Sequence, residues 1–285
     1  MIRALIGGGT LVLAACLVVG AVAEPPRGAP ARFAANSVEL PAGAAAGAPA
    51  AGEPEPAGAV VPVAGESQAT PTLPATAPQA EPAAQPAPAA GSTAPMTGDA
   101  ALVDPGWASA VAVRTGIPVR AAVAYAGAAL RLRAEQPSCH LGWNTLAALG
   151  EIESAHGTHG ASGIDEGGTA RPPIFGPDLD GNSYANIPDS DGGALDGSSG
   201  GDRAMGPLQF IPSTWQSWGA DGNGDGVADP QQLDDAALAA GHYLCSYGDL
   251  STVSGWRASV FAYNHLDTYV DAVARTANTY SAQAG

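Results

Sequence analysis

The sequence predicts a mainly α domain with long irregular loops over residues 101–285, and three observations carry that prediction. Two Ala-rich segments, 106–113 and 117–134, consist of good helix formers with scattered apolar positions. Leu146, Leu149 and Ile152 recur at helical spacing. Strand signals are weak throughout. Taken in order, Pro118 suits the first turn of the second helix, and Pro137 stops it. Asn144 is placed to cap the third, and Gly157 fits its C-terminal stop. From Thr158 to Arg203, Gly, Asp, Ser and Pro dominate and no period survives. A loop that long inside a compact domain is usually functional. Pro212 opens a short helix through Trp218, ended by Gly219. Asp234 caps a helix running through Leu244 to Gly248. The last helix begins near Asp267 and carries Tyr269, Val270, Val273 and Ala277 on one face.

The rest of the 285-residue chain has a different composition. Residues 24–100 are almost entirely Ala, Pro, Gly, Glu, Ser and Thr. They cannot bury enough apolar surface to offset the entropy of ordering, so they read as a disordered linker. All five Trp and all seven Tyr fall in 101–285. Residues 1–23 hold one early positive charge, Arg3, and an apolar run from Ala4 to Ala23. Three readings stay open. Ala21-Val-Ala23 fits a signal-peptide cleavage site. The run is also just long enough for an uncleaved membrane anchor. Leu13-Ala-Ala-Cys16 resembles a lipobox, although the residues after Cys16 stay apolar. Each reading exports the folded part, as an extracellular, cell-wall-associated or membrane-attached domain. Cys139 and Cys245 then form an even pair in an oxidising compartment, which predicts one disulfide. The alternative is two buried free thiols.

The net charge is −16 and lysine is absent. That balance argues against nucleic-acid binding and against anionic membrane surfaces. Many of the acids sit in Asp/Gly-rich loops, which suits local roles such as cation binding.

Two stretches carry candidate chemistry. Glu151 and Glu153 end the third helix, and two-residue spacing points them about 200° apart, so only one can face a cleft. Periodicity alone leaves the choice open, and both could be surface acids. Asp221-Gly-Asn223-Gly-Asp225-Gly226-Val227 matches the first half of an EF-hand loop, with Val227 offering its carbonyl. Position 12 is Gln232 rather than Glu, a departure from the pattern. The alternative is a solvated turn, with Asp234 and Asp235 as helix N-terminal charges. The run Asp178-Leu-Asp180-Gly-Asn182 is too fragmentary for a metal site. His156 and His159 lack the context of a zinc site and read as loop or cleft residues. His140, His242 and His265 read as ordinary polar positions. Trp215, Trp218 and Trp256 suit either sugar stacking or core. Arg203 suits an ion pair with a loop acid.

Glu153-Ser154-Ala-His-Gly157 resembles the Glu-Ser/Thr-x-x-Gly segment of lytic murein transglycosylases. The resemblance is in particular to the B-type (SLT-like) enzymes and their actinobacterial relatives. Met205-Gly-Pro-Leu-Gln-Phe-Ile-Pro-Ser-Thr-Trp215 resembles their Gly-x-x-Gln-Phe-x-Pro-Ser motif, and Ala262-Tyr-Asn-His265 their Tyr-Asn motif. The three stand in the family's order, over roughly residues 115–280. The resemblance implies a lysozyme-like α fold and cleavage of the MurNAc-GlcNAc bond of peptidoglycan glycan strands. It implies Glu153 as the catalytic acid and base, Gln209 and Phe210 as sugar contacts, and Tyr263 and Asn264 near the scissile bond. It also implies a lengthened cation loop ending at Asp235, which makes Asp221, Asn223, Asp225, Val227 and Asp235 a structural Ca²⁺ set. The resemblance implies no cofactor for the chemistry itself. Leu266 departs from the small hydroxyl residue that relatives often carry there. Hydrolysis by a muramidase of the same fold stays open if Asp165, Glu166, Asp189, Asp191, Asp196 or Asp202 reaches the far face of the sugar. So does a non-catalytic wall-binding module.

Overall fold

A computed structural model describes residues 96–181 and 186–285. The expected export segment, Cys16 and nearly all of the expected linker lie outside the described residues, as does Asn182. A 3-10 turn, Gly98–Leu102, straddles the expected linker boundary, and its Asp99 and Ala100 are buried. The folded unit therefore begins before residue 101.

Seven α-helices follow: α1 Pro105–Thr115, α2 Val119–Glu135, α3 Trp143–Ser154, α4 Pro212–Trp218, α5 Leu233–Cys245, α6 Val253–Tyr263 and α7 Asp267–Ala284. The Asp104 carboxylate accepts the Trp107 amide at 2.7 Å to start α1, and Gly116 ends it in the left-handed region. The alanines of α2 and α5 are a packing requirement. These helices cross closely, and a Cβ at Gly241 would stand 2.1 Å from a Leu132 methyl. A Cβ at Gly127 would likewise meet the Asp99 carbonyl at 2.6 Å.

The core lies between α2, α3, α5, α6 and α7. α3 runs through its middle, with residues 143–150 all buried. Trp215 and Trp256 are core residues, and Trp218 packs at the core's edge. Trp256 donates to the Thr145 hydroxyl at 3.0 Å, and Tyr243 donates to the Ala262 carbonyl at 2.8 Å. The two cysteines are joined, with Cα atoms 5.3 Å apart.

Four sequence expectations are corrected. Asn144 does not cap α3; it is fully buried inside the helix and donates to the Ala277 carbonyl of α7. Asp234 does not cap α5 either. Gln232 does, its carbonyl oxygen accepting the Asp234 and Asp235 amides. Asp234 instead takes the Arg120 guanidinium in a buried ion pair. Helix α6 had no sequence assignment, although Trp256, Val260 and Tyr263 are spaced for it and Thr252 caps it. The 158–203 stretch is not all loop. Strands β1 Gly163–Ile164 and β2 Ala170–Arg171 pair antiparallel, as do β3 Phe175–Asp178 and β4 Arg203–Met205.

The acids of that stretch largely serve its own backbone. Asp189, Asp191, Asp196 and Asp202 accept amides of Gly192, Leu195, Arg203 and Ser190 respectively. Asp165 accepts the Thr169 amide and pairs with Arg171. Arg203 lies over the Phe175 ring and 3.7 Å from the Asp178 carboxylate. A chain short of apolar side chains is folded here by carboxylate-amide bonds.

Candidate active site

Helix α3 ends in an unusual reversal. Ala155, His156 and Gly157 all have positive φ, at 49°, 57° and 80°. Two of the three carry side chains, and each non-glycine residue held there costs of order 1 kcal/mol. The surroundings impose this shape. The Ser154 hydroxyl accepts the Gly157 amide at 2.8 Å and donates to the Pro207 carbonyl at 2.6 Å. One side chain thus closes the reversal and fastens it to the chain around Gln209.

That second segment is a tight turn. Met205 and Phe210 exchange both backbone hydrogen bonds, and Gly206 and Gln209 take positive φ. Gly206 is obligatory, because a Cβ would stand 1.7 Å from the Pro230 carbonyl oxygen. The Gln209 amide donates to the Gly206 carbonyl at 2.8 Å. Tyr263, from the end of α6, donates to the Leu208 carbonyl at 2.6 Å. The turn is therefore strapped on one side by Ser154 and on the other by Tyr263.

The two glutamates of α3 meet different surroundings. Glu151 is exposed and lies 3.0 Å from a buried His156 nitrogen. Glu153 is half-buried, and burial pushes its carboxyl up to about 8 despite a hydrogen bond from Tyr269 that holds it down. That bond, 2.5 Å from the Tyr269 hydroxyl to Oε1, is the principal contact the sequence did not disclose. Burial and the Glu153 charge push the Tyr263 and Tyr269 hydroxyls well above the ordinary phenol range. Both phenols stay neutral and act as donors.

Glu153, Gln209, Tyr263 and Asn264 thus share one neighbourhood, linked through Ser154-Pro207 and Tyr263-Leu208. The Asn264 amide oxygen is buried without a hydrogen-bond partner. Such an acceptor suits an incoming donor. Phe210 does not fit its expected role as a sugar contact. It is fully buried, edge-on to Trp215 and Tyr263, and supports the turn from below.

The Asp/Gly loop is a separate structure on α5. Asp221 accepts the amides of Gly224, Asp225 and Gly226, which curls the chain around its carboxylate. Asp235 is fully buried and accepts the amides of Gly222, Asn223 and Asp229. The Asn223 amide bonds the Asp225 carboxylate, and the Val227 side chain is exposed. The donor set is all oxygen, which fits a hard divalent cation. Among the described residues, these side chains share no hydrogen bond with the Glu153 neighbourhood.

Residues 188–260 match the family model described as a transglycosylase SLT domain. The match covers the Gln209 turn and the Asp/Gly loop; Glu153 precedes it, and Tyr263 follows it. With seven α-helices and few strands, the described fold is mainly α and lysozyme-like. Neither the curated proteins nor the solved structures yield a match to this chain. Among the described residues, no helix is long and apolar enough to cross a membrane.

Proposed function

We propose that this chain is an exported peptidoglycan lytic transglycosylase in which Glu153 acts alone as acid and then base. The observation that carries the reading is the Glu153 carboxyl, raised to about 8 and held by Tyr269 beside the Gln209 turn. A carboxyl in that range holds its proton at neutral pH and can donate it.

The proton passes from Glu153 to the glycosidic oxygen between MurNAc and GlcNAc, and the bond from C1 to that oxygen breaks. Charge develops at C1, where the substrate's own 2-acetamido oxygen is placed to share it. The Glu153 carboxylate then removes the proton of the C6 hydroxyl while O6 bonds to C1. The product is 1,6-anhydroMurNAc, water is not consumed, and Glu153 regains its proton. Gln209 and Asn264 line the site as polar contacts. A hydrolytic route needs a second carboxylate for water. The engagement of Asp165, Asp189, Asp191, Asp196 and Asp202 by loop amides favours the route without one.

The test is digestion of purified sacculi followed by mass spectrometry. Anhydro ends, lighter than reducing ends by one water, are expected. Reducing ends would make the chain a muramidase. Binding without soluble fragments would make it a wall-binding module.

Tyr269→Phe tests the same site more finely. Loss of a hydrogen bond to a charged group removes about 1.5–3 kcal/mol, or about one to two pKa units, from the ionised form of Glu153. The alkaline limb of kcat is expected to move up by that amount. A limb that stays in place would separate Tyr269 from the titrating group.

The Asp221–Asp235 loop is proposed as a structural Ca²⁺ site held by Asp221, Asn223, Asp225, the Val227 carbonyl and Asp235. The ion would cross-link the loop to α5 and take no part in proton transfer. Ca²⁺ at a hundredfold over its Kd stabilises by about 2.7 kcal/mol, and a domain of this size gains about 2–4 °C per kcal/mol. A Tm rise of about 5–10 °C over EGTA is expected, absent in Asp225→Ala. An unchanged Tm in the native chain overturns the site.

A further inference from the structure

Behind the site lies a buried polar cluster that the proposed reaction does not use. His156 is 4% exposed and sits between three elements. Its Nδ1 is 3.2 Å from the Tyr125 hydroxyl of α2, and its Nε2 is 3.0 Å from the Tyr280 hydroxyl of α7. The Glu151 carboxylate of α3 is also 3.0 Å from Nε2, and Tyr280 donates to it at 3.4 Å. With Glu151 ionised, Nε2 must carry the ring proton, because a bare nitrogen there would repel the carboxylate. Nδ1 then accepts from Tyr125, and every polar atom of the ring is satisfied in its neutral form. Burial lowers His156 to about 4, so that form persists across the working range of pH.

We propose that His156 is a positioning residue, which pins the left-handed reversal after Glu153 to α2 and α7 and so holds Glu153 against Tyr269. This deepens the transglycosylase reading and rests on it. Three observations carry the inference. First, His156 is a non-glycine residue at φ 57°, three positions after Glu153, and the cluster supplies the contacts that hold it there. Second, Tyr280 and Tyr269 are eleven residues apart on α7, about three turns, and so share a face. Tyr269 grips Glu153 at one point of that face, and Tyr280 grips Glu151 and His156 at another. Together with the Asn144 bond to the Ala277 carbonyl, these polar contacts set the relative placement of α3 and α7, and one of them is made by the proposed acid. Third, Tyr125 reaches the cluster by passing over Gly150, where a Cβ would stand 1.9 Å from its hydroxyl. The glycine lets α2 hold the same node.

The experiment compares His156→Leu, His156→Gln and Tyr280→Phe in the full chain. Two readouts are taken: kcat and KM on sacculi, and the Glu153 titration followed by carboxyl ¹³C NMR. His156→Leu removes both ring contacts, whereas Gln keeps a donor and an acceptor. In Leu, kcat is expected to fall about 10–100-fold with KM nearly unchanged, as for loss of precise placement. The Glu153 titration is expected to move up by about half a unit or more as the Tyr269 bond loosens. Gln recovers most of both changes, and Tyr280→Phe shows the same direction. A folded Leu variant with native kcat and native Glu153 titration overturns the proposal. If Leu does not fold, Tyr280→Phe decides: an unmoved Glu153 titration overturns it. The NMR readout needs no substrate. Inactivity of the native chain would therefore remove the transglycosylase reading while this geometry was still tested.

Discussion

Glu153→Gln is expected to lower sacculus cleavage at least about 10³-fold while leaving the fold intact and, at alkaline pH, more stable than the native chain. The activity loss follows because an amide can neither give nor take the proton, and Asp165, Asp189, Asp191, Asp196 and Asp202 are engaged by amides of their own loop. The stability gain follows from linkage. The folded chain holds the Glu153 proton up to about 8, whereas the ordinary value is 4.5. Between these values the folded state binds more protons than the unfolded one, so native stability falls as pH rises through that window. Below about 4.5 both states are protonated and the effect vanishes. With allowance for partial exposure, the native chain loses about 2–4 kcal/mol by pH 9, and the Gln variant does not. The Tm difference should be near zero at pH 4.5 and reach about 4–16 °C at pH 9. Glu151→Gln should show far less of either effect, since Glu151 is exposed and an amide oxygen in its place still accepts from Tyr280 and His156. An active Glu153→Gln beside an inactive Glu151→Gln would reverse the assignment of the two acids.

Those two acids mark the limit of what periodicity can resolve. Spacing put them on opposite sides of α3, but which side met a desolvated site depended on α7, more than a hundred residues later. The Tyr269 contact crosses 116 residues and left no local trace. The helices with continuous apolar faces or a proline start, α2, α3, α4 and α7, were legible because their signals are local. α6 was not, since Ser254, Gly255 and Ser259 dilute its apolar face. Gly255 is there for packing, because a Cβ would meet the Asp249 carbonyl at 2.1 Å. The caps of α3 and α5 were misplaced for one reason. Asn144 and Asp234 are good capping residues, and the fold had given both a stronger partner across the core. Phe210 misled in another way. A motif identifies a neighbourhood, but the tight turn with positive φ at Gln209 packs Phe210 into the core.

Replacing Cys139 and Cys245 together by Ala is expected to cost about 4 kcal/mol, lowering Tm by about 8–16 °C. The bridge spans 106 residues, from the approach to α3 to the end of α5. That closed loop holds Glu153, the Gln209 turn and the whole carboxylate-folded stretch between them. Its length matters because cross-linking removes more freedom from the unfolded chain as the loop grows. It also encloses the part of the domain with the fewest large apolar side chains, where packing offers least to replace it. Both cysteines are buried, so added reductant acts slowly on the folded chain, and the double substitution is the cleaner test. Glu153 is held by Tyr269 and not by the bridge, so specific activity below the lowered Tm should match the native chain. A double variant that melts with the native chain would mean that the α3–α5 packing already holds these ends together. Lost activity with unchanged Tm would instead tie the bridge to the geometry of the Glu153 reversal.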